Sequence, residues 1–242
     1  MSRLDRRTFL TLVGASLATT ALPAVAAVPT FVALGDSYTA SYRNGIPSWA
    51  DQIDGGGGAK LLANLAVSGS TAEGVNLKKT FDRQVDAWIR DHKPKGVPDR
   101  TAVYFGYNDI KADKPLSNAK SQYRAQVDRL VANGVTQGQR RLVLCPLHDW
   151  SRNPGATRSY RSRVVEWNRH ARSVAAARPN CVVVDLFALF ERVFADPDAY
   201  EFTNVTESNR ALSTTTHLYA DVGHFGRKGQ ALIARAVKPR LL

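Results

Sequence analysis

Five short apolar runs, separated by stretches with helical spacing, constrain what this chain can fold into more than any other feature. The runs cover residues 30–34, 60–67, 102–105, 141–145 and 182–185, and each stops in small or polar residues. Helical patterns fall at 46–53, 81–91, 121–132 and 160–177. A last one runs from Gly229 to the C-terminus, with Ala231, Leu232, Ile233, Ala236 and Val237 at helical spacing. Strands that alternate with helices cross over the sheet between pairings. The order therefore predicts an α/β protein with a parallel sheet covered on both faces. In such a sheet, ligands bind beyond the carboxyl ends of the strands. Polar residues stationed there carry the functional information.

Residues 1–26 stand apart from this rhythm. A basic start, about 14 modestly apolar residues from Phe9 to Leu22, and small residues at Ala24 and Ala26 make a secretory signal, cut before Ala27. The apolar part is shorter than the roughly 20 residues needed to span a bilayer. Asp5-Arg6-Arg7-Thr8-Phe9-Leu10 is similar to a twin-arginine export signal, so the expected location is periplasmic or extracellular. Residues 27–242 then suit one domain with a large core.

Without Arg3, Asp5, Arg6 and Arg7 the chain holds 30 basic against 20 acidic residues, a net +10. The basic residues are dispersed and form no nucleic-acid module, so no nucleic-acid partner is expected. Membrane contact is at most peripheral, through anionic lipid. The chain is expected to act as a monomer. Cys145 ends one strand run and Cys181 begins another, which puts them about 15 Å apart in a parallel sheet. A disulfide needs Cα atoms within about 7 Å, so two free thiols are expected. Gly55–Gly58 lacks the preceding strand and spacing of a dinucleotide-binding turn and reads as a loop. The five histidines are scattered and the cysteines are not closely spaced, so no metal site and no cofactor are expected.

The strand ends carry five polar sets: Gly35-Asp36-Ser37, Ser68-Gly69-Ser70-Thr71, Gly106-Tyr107-Asn108-Asp109, Leu147-His148-Asp149-Trp150 and, before the last helix, Asp221-Val222-Gly223-His224. A serine attacks well only when a base takes its proton and a third group orients the base. His224 can be that base and Asp221 the orienting acid, although an isolated D-x-x-H is more often an ordinary helix entry. Acyl transfer also needs donors aimed at a developing oxyanion. The N–H groups of Ser37 and Gly69 and the side-chain amide of Asn108 have the right chemistry. The G-x-S-x-G elbow is absent around Ser37.

These blocks, GDS at 35–37, NLAVSG at 64–69, GYND at 106–109 and DVGH at 221–224, resemble in order and spacing those of the SGNH (GDSL) hydrolases. Residues 182–206 and 217–237 are similar to the secreted lipase, phospholipase and haemolysin branch. The resemblance implies a three-layer α/β/α sandwich, flavodoxin-like, with strand order 2-1-3-4-5. It implies Ser37 as nucleophile, His224 as base, Asp221 as its partner, and Ser37, Gly69 and Asn108 as the oxyanion hole. It further implies an exported esterase or lipase acting on carboxylic esters without a cofactor. O-acetylated polysaccharide or polyester would be alternative substrates, and a non-catalytic lipid- or surface-binding protein the alternative of another class. A flavodoxin-like electron carrier is the fold-level rival.

Three departures from that branch stand out. Tyr38 replaces the usual Leu, Phe225-Gly226 replaces Pro-Thr or Pro-Ser, and GYND replaces GAND or GGND. They bear on acyl preference. Tyr38, Tyr107, His148 and Trp150 are the expected substrate contacts. His217 is the weaker rival base, with Thr214 rather than an acid three positions earlier. Asp36 is expected to cap the turn that holds Ser37, and Asp109 to serve a network. Asn204-Val205-Thr206 matches a glycosylation sequon by pattern alone.

Overall fold

The computed structural model describes residues 27–41, 45–74 and 79–242. The export signal read at residues 1–26 lies outside the described residues.

Five strands, β1 (Thr30–Gly35), β2 (Lys60–Asn64), β3 (Arg100–Tyr104), β4 (Arg141–Leu144) and β5 (Cys181–Val183), form one parallel sheet in the order β2-β1-β3-β4-β5. The order explains the layering. From β1 the chain moves one way to reach β2, and all later crossovers move the other way. Right-handed crossovers then place α1 (Trp49–Gly55) on one face and α2 (Phe81–Ala87), α4 (Leu116–Ala132) and α5 (Arg161–Ala176) on the other. The last helix, α7 (Arg227–Leu241), packs against α1. The direction of travel reverses between β1 and β3, and that gap is where an open parallel sheet offers its crevice.

The central strands are buried on both faces, which is why they read as continuous apolar runs rather than alternating ones. Phe31, Val32, Ala33 and Leu34 of β1 are fully buried, as are Leu142, Val143 and Leu144 of β4. β1 aligns with β3 so that Gly35 faces Tyr104, which brings the ends of the two strands level. Cys181 aligns with Leu142, three residues before Cys145, or about 10 Å along the strand at ~3.3 Å per residue. Both cysteines are free, as expected.

Several boundaries differ from the sequence reading for identifiable reasons. The second strand stops at Asn64 instead of running to Val67. There the Asn64 amide turns inward, donating to the Thr39 carbonyl at 2.8 Å and to Ser48 Oγ at 3.3 Å. Helix α1 begins at Trp49 because Ser48 and Asp51 form a reciprocal capping box. Four elements were not anticipated: α3 (Tyr107–Lys111), α6 (Leu186–Ala195), and the parallel-paired strands β6 (Asn204–Ser208) and β7 (His217–Tyr219). In α6, Asp185 caps the start and Leu186, Phe190 and Val193 are buried at i, i+4 and i+7. Its other face, with Phe187, Leu189 and Phe194, is apolar too, which hides the helical period.

Candidate active site

Beyond Gly35 the β1 backbone makes one tight turn. Asp36 Oδ1 accepts the Tyr38 N–H at 3.0 Å and the Asp36 carbonyl accepts from Thr39 and Ala40 at 3.1 and 3.0 Å. This Asx turn lifts Ser37, the one residue of the turn that is not buried, out of the strand end. Gln84 of α2 fixes the base of the turn. Its amide accepts the Gly35 N–H at 2.9 Å and donates to the Gly35 carbonyl at 2.8 Å.

The loop before α7 brings His224 to the same place. His224 Nε2 lies 2.9 Å from Ser37 Oγ, and Nδ1 lies 2.9 and 3.0 Å from the two Asp221 oxygens. Asp221 Oδ1 also accepts the N–H groups of Gly223 and His224, both at 2.8 Å. Partial burial pushes the Asp221 carboxyl up. The hydrogen bonds from the His224 ring and the two backbone N–H groups, with the nearby imidazole, outweigh this and hold it below the ordinary carboxylate range. An ionised Asp221 keeps the Nδ1–H tautomer, which leaves Nε2 as the acceptor facing Ser37. His217, the rival base, sits at the start of β7 with Nδ1 3.2 Å from Thr216 Oγ1. It does not line the cleft that holds Ser37.

The donors gather on the β3 side. Gly69 has φ +82°, a left-handed conformation that favours glycine, and its N–H and that of Ser37 meet no acceptor among the described residues. Asn108 donates one amide hydrogen to the Ser70 carbonyl at 2.8 Å, which fixes its side chain at the cleft wall. Asp109 ties down the same loop, its two oxygens accepting the Ala72 and Glu73 N–H groups at 2.9 Å each. Gly106, at φ +130°, brings β3 into this turn. A Cβ there would stand 2.3 Å from the Trp167 ring. The resulting cleft holds about 180 Å³ and is lined by Ser37, Tyr38, Ser68, Gly69, Tyr107, Asn108, Lys111, Trp150, Gly223 and His224.

Of the four expected substrate contacts, Tyr38, Tyr107 and Trp150 line this cleft. His148 does not. It is fully buried behind Tyr38 and Tyr107, and that burial lowers its pKa to about 3, so it is a neutral ring inside the protein. Its position after a strand end suggested the rim, but the side chain turns into the core, where Tyr104 and Tyr107 hydroxyls meet Nδ1. Its Nε2 faces Asn153 Oδ1 at 3.2 Å.

Asn153 was not anticipated, and it is the hub of this network. It is 4 % exposed. Its Oδ1 also accepts from the Tyr219 hydroxyl at 3.1 Å, and its Nδ2 donates to Tyr38 Oη at 2.6 Å and to the Gly223 carbonyl at 2.9 Å. Tyr38 donates its own hydroxyl hydrogen to the same Gly223 carbonyl. Two residues on, Gly155 N–H donates to the Val222 carbonyl at 2.7 Å. The loop after β4 thus grips both carbonyls that precede His224. The sequence departures join this packing, with the Tyr107 ring of GYND 4.5 Å from that of Tyr38. The Tyr38 ring centroid lies 5.5 Å from that of Phe225, Phe225 stacks on Phe190 at 4.4 Å, and Gly226 fits where a Cβ would stand 2.1 Å from Ser213. No local sequence signal marks Asn153, which meets its partners 70 and 115 positions away.

Asp36 is fully buried and its Oδ2 has no hydrogen-bond partner. Burial pushes its carboxyl up to about 7, against the pull of the Tyr38 and Tyr107 N–H groups and the His224 ring. Between its ordinary 3.8 and about 7 the folded protein holds a proton here that the unfolded chain has lost. Asp36 therefore takes stability away as pH rises through that window, by about 4 kcal/mol in full. Burial of Asp109, raised to about 6, acts in the same direction. The lowered carboxyls, such as Asp221, gain their stability below about pH 4, outside the window. His148, kept neutral by burial down to about pH 3, adds stability as pH rises over much of the same window, so the effect of Asp36 is read as a difference between two proteins: from pH 4 to 8 the Tm of Asp36→Asn should gain up to about 10 °C on that of the wild type. Equal slopes in the two proteins would contradict the buried, proton-holding carboxyl.

The sequence from residue 33 to 232 matches the GDSL-like lipase/acylhydrolase family. No curated protein matches the chain. Among solved structures, a lipolytic G-D-S-L family protein from Veillonella parvula is 16% identical, with a TM-score of 0.61 over 86% of this chain and 95% of that one. The acetylxylan esterase Axe2 from Geobacillus stearothermophilus is 18% identical, with a TM-score of 0.56 over 88% and 94%. LAE5, an alpha/beta hydrolase from a Lake Arreo metagenome, is 20% identical, with a TM-score of 0.59 over 90% and 96%. At these identities the likeness is one of fold. The family match spans most of the chain, including all four motif blocks, and on that ground the protein is a member of the GDSL-like lipase/acylhydrolase family.

Proposed function

We propose that the protein hydrolyses short-acyl carboxylic esters through a covalent acyl-enzyme on Ser37. The observation that carries this is the continuous line Ser37 Oγ, His224 Nε2, His224 Nδ1, Asp221, with each gap between 2.9 and 3.0 Å. Ser37 Oγ attacks the ester carbonyl carbon while its proton passes to His224 Nε2. The tetrahedral oxyanion is held by the N–H groups of Ser37 and Gly69 and the amide of Asn108. Collapse breaks the bond to the alcohol oxygen, which leaves with the proton from His224. Water, deprotonated by His224, then attacks the acyl carbon and releases the acid and Ser37. No step draws on a cofactor. The signal-like pattern at residues 1–26 supports action outside the cytoplasm.

The acyl preference follows from size. The cleft of about 180 Å³ is smaller than the roughly 300–1,000 Å³ of pockets that enclose drug-sized ligands. An acetyl or butyryl group fits within it, whereas a long chain would extend beyond its walls. With 4-nitrophenyl esters, kcat/KM should be at least about tenfold higher for acetate or butyrate than for dodecanoate. Rates that rise with chain length would contradict the reading. O-acetylated polysaccharide is the second reading, favoured by the same small cleft and by the acetylxylan esterase among the fold neighbours.

The grip on Val222 and Gly223 serves the geometry of His224. Asn153→Ala should lower kcat about tenfold or more with KM nearly unchanged, since substrate meets neither Asn153 nor the Gly223 carbonyl. An unchanged kcat would show that the loop holds His224 without it.

A further inference from the structure

Lys111 is the cation of the cleft that the proposed chemistry leaves unused. It lies one turn of α3 beyond Asn108, so the two side chains share the helix face that lines the cleft. Its Nζ stands 4.6 Å from the centroid of the Trp150 ring, and Trp150, 6 % exposed, lines the same cleft. A lysine laid over an aromatic face keeps its N–H groups free for a second partner. No acidic side chain pairs with Lys111 among the described residues. Three arginines nearby are engaged, while the exposed Lys79, whose Cδ would stand 3.9 Å from a Cβ at Gly69, adds to the positive charge beside the cleft. Arg158 pairs with Asp113 at 2.8 Å, and Arg161 with Asp149 at 2.8 Å and Glu191 at 2.6 Å. Arg163 donates to the carbonyls of Asp109, Ile110 and Lys114.

The negative charges near the cleft are likewise occupied. Asp221 holds His224 and two backbone N–H groups, and Asp109 holds two more. Asp36 is fully buried beneath the turn. The strongest uncompensated charge at the mouth is thus positive, on a chain that is itself strongly basic.

We infer that Lys111 and Trp150 form an anion subsite, and that the preferred substrates are esters carrying a carboxylate, phosphate or sulfate close to the ester bond. This rests on the ester-hydrolase reading above. The ammonium would bind the anion, and the Trp150 face would hold the ammonium in place and pack against the substrate's carbon skeleton. A cation in the cleft that holds Ser37 would also raise the local concentration of anionic esters and their rate of capture.

The test compares three esters in the wild-type protein and in Lys111→Met, which keeps the stem length and removes the charge. They are 4-nitrophenyl acetate, its 3-carboxy ring analogue with the anion on the alcohol side, and 4-nitrophenyl hydrogen succinate with the anion on the acyl side. The expected result is that Lys111→Met leaves kcat/KM for the neutral acetate within about twofold and lowers it three- to tenfold for one or both anionic esters. The ester that responds identifies the side on which the anion sits. Addition of 0.5 M salt should reproduce the loss in the wild type and have little further effect in the variant. Equal change in all three esters, or in none, would overturn the subsite while leaving the esterase reading intact. Failure of the wild type to hydrolyse any of the three would remove the esterase reading, and the subsite with it.

Discussion

Replacing Ser37 with alanine should lower kcat/KM for 4-nitrophenyl acetate by at least about 10³-fold and leave Tm within a degree or two of the wild type. The magnitude follows from what the hydroxyl does. Without Oγ there is nothing to acylate, and the remaining hydrolysis is what the oxyanion donors and His224 obtain from a bound water. The stability expectation follows from position. The Ser37 side chain has one described partner, His224 Nε2, in a part-buried and solvent-facing setting. The turn itself is held by Asp36, Gln84 and backbone bonds that do not involve the hydroxyl. A large drop in Tm would mean that activity was lost through the turn, and His224→Gln would then be the cleaner variant. Activity within tenfold of the wild type would refute Ser37 as nucleophile.

The second large effect is expected at Asn108. Asn108→Ala should lower kcat by about 10²- to 10³-fold, with KM changed less than about threefold, because a donor to the oxyanion acts chiefly once the negative charge has formed. Asn108 has a second task in the Ser70 bond, so the Gly69 loop could shift in the variant. Asp109, which holds Ala72 and Glu73 in that loop, limits the shift. Affinity for a boronic acid, whose tetrahedral adduct presents an oxyanion, should weaken in parallel with kcat. A loss of kcat without weaker boronate binding would assign the effect to the loop instead of the donor.

Sequence and structure agree where chemistry is local and diverge where it is not. The end of β1 was legible because Gly35-Asp36-Ser37 breaks an apolar run within one turn. Asp221 and His224 were legible because an acid three positions before a histidine can reach its ring on one loop. Asp36 and Asp109 have the supporting roles expected of them, in the Asx turn and in the Ala72–Glu73 loop. Gln84 and Asn153 were not legible. An amide buried in a helix or a loop carries no local mark, and its partners Gly35 and Gly223 lie 49 and 70 positions away. His148 was misplaced for a related reason. Strand order locates the backbone at the rim, while the side chain's direction depends on what the core offers, here Tyr104, Tyr107 and Asn153.

Tyr38 illustrates the same limit. As a departure beside Ser37 it suggested a substrate contact, and its ring does line the cleft. Its hydroxyl, however, is committed to Gly223 and Asn153, and its ring to Phe225, so two departures of the sequence belong to one packed unit. Lys111, which no motif marks, lines the same cleft and meets no acidic side chain among the described residues.

The proposed chemistry turns on a covalent bond to one oxygen. Treatment of the full chain with a fluorophosphonate, followed by digestion and mass spectrometry, reads that bond directly. A single stoichiometric adduct on Ser37 is expected, absent in Ser37→Ala and slowed at least about 10²-fold in His224→Gln. An unlabelled Ser37 under conditions in which the protein hydrolyses 4-nitrophenyl acetate, or an adduct on another residue, would contradict it.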